Sequence, residues 1–131
     1  MRSLNDASAP LGADSAELMG LLAYIYLEND RPEKAAVLLA ALEALELAEP
    51  RQLVTLALAQ LRAGKPESAL ATLERVALRG GMDAAFHLVR AQALLALERQ
   101  AEAAAAMRAY VAMRASQPGQ PADAAAPNTP R

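Results

Sequence analysis

Few side chains in the 131-residue sequence could do chemistry: there is no cysteine, no tryptophan and a single histidine. That histidine, His87, stands four residues after Asp83. On a helix this spacing sets a carboxylate one turn below an imidazole, an arrangement that can orient a metal ligand or a general base. Either role needs convergent partners, and no second His, Cys or acidic cluster accompanies the pair. His87 therefore reads as a packing residue. Gly80-Gly81 ahead of a helix has the outline of a phosphate loop, yet no Lys-Ser or Lys-Thr follows, so the pair reads as a helix terminator. With thiolate, disulfide and Cys-bearing zinc chemistry absent, the residues point away from an enzyme and imply no metal and no cofactor.

The elements that carry these residues are helical by composition. Apolar residues make up 54%, but 34 of them are alanine and 22 leucine, against six Val plus Ile and 3% aromatics. Such a palette favours helix over strand. A net charge of −2 offers no general attraction to phosphate backbones or anionic lipid, so no nucleic-acid partner is expected. The longest uncharged apolar run, Leu18 to Leu27, has ten residues, about half of the ~20 that span a bilayer. The amino terminus lacks the basic, apolar, small-residue order of a secretory signal, and a cytoplasmic location is expected.

A 34-residue period organises the middle of the chain. Leu27-Glu-Asn-Asp30-Arg-Pro32-Glu-Lys-Ala35 falls on Leu61-Arg-Ala-Gly64-Lys-Pro66-Glu-Ser-Ala69 and on Leu95-Ala-Leu-Glu98-Arg-Gln100-Ala-Glu-Ala103. The register continues upstream through Ala23, Ala57 and Ala91, and downstream through Leu39, Leu73 and Met107, then Leu42, Val76 and Tyr110. Each copy reads as two helices. Asp14 or Ser15 is expected to cap the first, with Glu17 completing a capping box. Pro32 and Pro66 suit the first turn of second helices, where a missing N–H is harmless, and Gly64 permits the tight turn before one of them. Six helices are predicted, near 15–29, 32–47, 51–63, 66–79, 83–97 and 100–115. They divide residues 14–115 into repeats 14–47, 48–81 and 82–115, between disordered ends at 1–13 and in the Pro/Ala-rich 116–131.

A 34-residue helix–turn–helix unit with a small residue in the first helix and an alanine early in the second resembles the tetratricopeptide repeat. Ala23, Ala57, Ala91, Ala35, Ala69 and Ala103 carry the likeness by letting paired helices approach closely. The resemblance implies an all-α fold: three helical hairpins stacked as a short right-handed solenoid. Met19, Leu53 and His87 depart from the family's frequent Trp. Within that family, Leu18-Met-Gly-Leu-Leu-Ala-Tyr-Ile-Tyr-Leu27, Arg31-Pro-Glu-Lys-Ala-Ala-Val-Leu-Leu39 and Arg90-Ala-Gln-Ala-Leu-Leu95 are similar to the small chaperones of bacterial type III secretion, most like the YscY/SctY group. The needle-subunit chaperones of the YscG/SctG group are a near alternative, and a general scaffold or self-assembly protein is a further one.

That resemblance implies a small secreted client of the YscX/SctX type, bound as an amphipathic helix or extended segment and presented to an export-gate protein. In this architecture the first helices line a concave groove, which is expected to bind through Tyr24, Leu27, Val54, Leu58, Leu61, Leu88, Gln92 and Leu95, with Glu17 and Gly20 beside them. Lys and Arg side chains that would clamp a client carboxylate are missing from Gly20, Tyr24, Val54 and Leu58, although Arg51 and Arg62 stand at the rim. A secondary surface is expected on the last helix at Met107, Val111 and Met113, because no capping helix follows it. A homodimer of the free protein is one way to cover that end. Charge is uneven as well: residues 14–49 hold eight acids and two bases, residues 50–115 five acids and nine bases. Such asymmetry is consistent with solvated faces, with orientation of a partner or with head-to-tail association.

Overall fold

The computed structural model describes residues 12–116. Six helices follow one another: α1 Ala13–Glu28, α2 Pro32–Ala44, α3 Pro50–Arg62, α4 Pro66–Leu78, α5 Ala84–Ala96 and α6 Gln100–Ser116. Among the described residues there is no strand. Three hairpins, α1–α2, α3–α4 and α5–α6, stack so that each second helix packs on the first helix of the next hairpin. The first helices also touch one another, α1 on α3 and α3 on α5, more closely than the second helices do. The first helices therefore line the inner side of the stack. Of the ends expected to be disordered, 1–11 and 117–131 lie outside the described residues; Gly12 precedes α1, Ala13 begins it and Ser116 ends α6.

Five interhelical turns use one backbone solution. Asp30, Gly64 and Glu98, spaced by one repeat, all take left-handed φ values of 60°, 85° and 61°, and Glu46 and Gly80 do the same at 60° and 80°. In each turn the following N–H closes a 6→1 bond onto the finished helix: Arg31 to Tyr26 O, Leu47 to Leu42 O, Lys65 to Gln60 O, Gly81 to Val76 O and Arg99 to Leu94 O, at 2.8–3.2 Å. Proline opens α2, α3 and α4 at the first helical turn. Gly80 thus terminates α4 as expected. Gly81 has a different reason, since a Cβ there would stand 2.6 Å from Pro50 Cβ.

Two local expectations are corrected. The α1 amino terminus is capped at Gly12 without a side-chain hydrogen bond, and Asp14 lies inside the first turn, where its charge meets the helix dipole rather than closing a capping box. The reciprocal bond of a capping box occurs instead at α3, where the Glu49 N–H donates to Gln52 Oε1 at 2.8 Å. The second helix stops at Ala44 rather than 47, because the left-handed Glu46 turns the chain back.

All six register alanines are buried, as are Leu39, Leu42, Leu73 and Val76. One polar network ties the first two hairpins. The buried Thr72 hydroxyl donates to Gln60 Oε1 at 2.7 Å and accepts from Arg75 Nη2 at 3.2 Å. Arg75 also reaches both carboxylate oxygens of Glu43, and Arg79 Nη1 donates to the Ala48 carbonyl at 2.8 Å. No helix among the described residues is long and apolar enough to cross a membrane.

Candidate functional site

The inner side of the stack opens into a groove of about 610 Å³ between α1 and α3. Asp14, Glu17, Leu18, Gly20, Leu21 and Tyr24 form one wall, and Arg51, Gln52 and Thr55 the other. The helices can approach here because position 20 lacks a Cβ, which would collide with the Gln52 side-chain amide. Leu18, Leu21 and Tyr24 are 66%, 58% and 52% exposed, leaving apolar area free on an otherwise polar rim. Glu28, one turn beyond Tyr24, raises the tyrosine pKa through its hydrogen bond and then its charge. Arg51 is loosely paired with Glu49 at 3.3 Å and is the charged residue of a wall otherwise formed by Gln52 and Thr55.

The residues expected to bind fall into three groups. Tyr24 lies in this groove. Leu27 and Val54 are corrections: both are buried in the main core, because the end of α1 is covered by α2 and α3 while α3 is flanked on both sides. Leu58 and Leu61 are half-buried and pack against that core, and Leu88 is half-buried, so these three offer only edges. Gln92 and Leu95 belong to a separate apolar depression of about 380 Å³ that runs from α5 onto Gln100, Ala103 and Met107 of α6. Met107 and Val111 are exposed and border a further depression with Arg108, whereas Met113 is half-buried.

One register position explains the division. Leu27 is buried, Leu61 half-buried and Leu95 60% exposed, although the three are equivalent in sequence. A side chain at this place is covered by the following hairpin, and none follows the α5–α6 hairpin among the described residues. The groove leucines missed by register, Leu18 and Leu21, carry a signal in the ten-residue uncharged run of α1, which is apolar on more faces than its own hairpin can cover.

His87 is half-buried and meets Phe86 edge-on at 5.1 Å, while Asp83 caps α5 by accepting from the Phe86 N–H at 2.9 Å. The histidine therefore has a packing partner and the carboxylate a structural one. Among the described residues no three His, Cys, Asp or Glu side chains converge as metal ligands.

A family model described as tetratricopeptide repeat matches residues 54–121, just over half of the chain. The chain belongs to the tetratricopeptide-repeat family. No curated protein matches the sequence. Among solved structures, the repeat stack is similar to PcrH in its crystal structure with the chaperone binding region of PopB, at 24% sequence identity and a TM-score of 0.77, over 87% of this chain and 92% of that one. At that identity the likeness establishes a shared fold. The six alanines that admit close helix packing therefore do in this chain what the tetratricopeptide repeat requires of them.

Proposed function

We propose that this tetratricopeptide protein is a non-catalytic, cytoplasmic chaperone of a type III secretion system, holding a small exported protein in the α1–α3 groove. The observation that carries the reading is the apolar groove of Leu18, Leu21 and Tyr24 on a fold shared with PcrH, a protein seen bound to the chaperone binding region of another protein. A client segment with two or three apolar side chains on one face fits the groove, as an amphipathic helix or an extended strand. The α1, α2 and α5 segments similar to the YscY/SctY group favour a client of the YscX/SctX type and a role in presenting it to the export gate.

The test is co-expression with each of two tagged proteins from the same secretion locus, the YscX/SctX-type component and the needle subunit. The reading expects the first to co-purify as a stable complex and to raise the melting temperature, since a ligand at 100 times its Kd stabilises by about 2.7 kcal/mol. Capture of the needle subunit alone would reassign the client, and capture of neither would contradict the chaperone role.

A further inference from the structure

The two ends of the repeat stack are complementary halves of a junction that the molecule already makes twice. At the α2–α3 and α4–α5 junctions, a second helix covers one face of the next first helix. Leu56 and Ala59 of α3, and Ala93 of α5, are buried there in the main core. The same register positions in α1 are Leu22 and Ile25, which are 42% and 47% exposed because no second helix precedes them among the described residues. At the opposite end, Leu39 of α2 and Leu73 of α4 are buried, while their equivalent Met107 on α6 is 40% exposed beside Val111 at 57%. One end therefore presents the side chains a preceding hairpin would cover, and the other those a following hairpin would cover.

Charge sets the pairing between ends. The first hairpin, residues 13–44, holds six acids and two bases, whereas the last, residues 84–116, holds four arginines and two glutamates. Like ends would bring like charge together, and unlike ends bring opposite charge together at the apolar contact. We propose that a second copy of this chain docks its α1 face, through Leu22 and Ile25, onto the α6 face at Met107 and Val111, giving a head-to-tail association. Such an interface is heterologous: each copy keeps one free end, so association proceeds beyond a dimer. Leu22 and Ile25 lie outside the α1–α3 groove, so this junction leaves the groove open and stands apart from the chaperone reading.

Sedimentation of the full chain with two single variants, Leu22→Glu and Met107→Glu, tests the proposal. The wild type is expected to associate with rising concentration to species larger than a dimer, and less so at high salt. Each variant alone is expected to be monomeric, because every junction needs one intact end of each kind. An equimolar mixture of the two is expected to form a dimer of one copy each and stop there. A wild type that stays monomeric at every concentration would overturn the proposal by showing both faces covered within one chain. Self-association of Met107→Glu at the wild-type level would overturn it in favour of symmetric α1 pairing, and the same behaviour of Leu22→Glu in favour of symmetric α6 pairing. Ile25→Glu and Val111→Glu repeat the experiment if helicity shows either first variant unfolded.

Discussion

Glu46 and Gly80, one repeat apart, share the same left-handed backbone at φ 60° and 80°. An L side chain carries a cost of about 1–2 kcal/mol in that region, partly offset by the greater freedom glycine has in the unfolded chain. Glu46→Gly is therefore expected to stabilise the fold by about 0.5 kcal/mol and Gly80→Ala to destabilise it by about 0.5–1 kcal/mol. No atom stands within 4 Å of a Cβ built at Gly80, so the loss is one of backbone conformation alone. Thermal melts should move in opposite directions, by about 4–8 °C per kcal/mol for a domain of this size.

Arg75 and Glu43 join the first two hairpins through paired hydrogen bonds of 2.5 and 2.9 Å. Both side chains are partly exposed, so solvent screens the pair. Arg75→Ala is expected to lower stability by about 0.5–1 kcal/mol, with the difference from wild type shrinking at high salt. Denaturant titration at two ionic strengths checks both the size and the screening.

Acid sensitivity should appear in two windows. Burial, assisted by Arg90 and opposed by Asp83, holds the His87 imidazole below its ordinary range. The unfolded chain then takes up this proton first, so stability falls as pH drops below the unfolded value of about 6.5 and levels off below the folded one. Glu102, held down by its hydrogen bond from Arg99, acts lower: its contribution is present above the ordinary carboxylate range and fades as pH falls through its depressed folded value. His87→Gln should remove the upper window and leave the lower one. Melting curves from pH 7 to 3 distinguish this from a single acid transition.

The turns were the most legible part of the fold. Asp30, Pro32, Gly64 and Pro66 mark chain reversals by their own chemistry, and the 34-residue register carries those marks to Glu98, which has no turn signature. The alanines were legible for a similar reason, since close helix approach demands small residues wherever it occurs. Exposure was not, because it belongs to neighbours rather than to positions. Leu27 and Leu95 are alike in sequence, and only the stacking of a later hairpin on one of them separates core from surface. The amino-terminal cap failed on a smaller scale: Asp14 has the right chemistry for a cap, but α1 begins earlier, at Ala13, and places it in the first turn.

The claim that a client lies in the α1–α3 groove is tested most directly by the Kd of the co-purified complex for Tyr24→Asp, with Val37→Asp as the comparison. Tyr24 is 52% exposed within the groove, and Val37 is 69% exposed on α2 outside it, so neither change should disturb the fold. A groove anchor replaced by an unpaired carboxylate is expected to weaken binding by about 30–1,000-fold, equivalent to about 2–4 kcal/mol, while Val37→Asp binds as wild type. Wild-type affinity in Tyr24→Asp, or equal losses in both variants, would contradict the account.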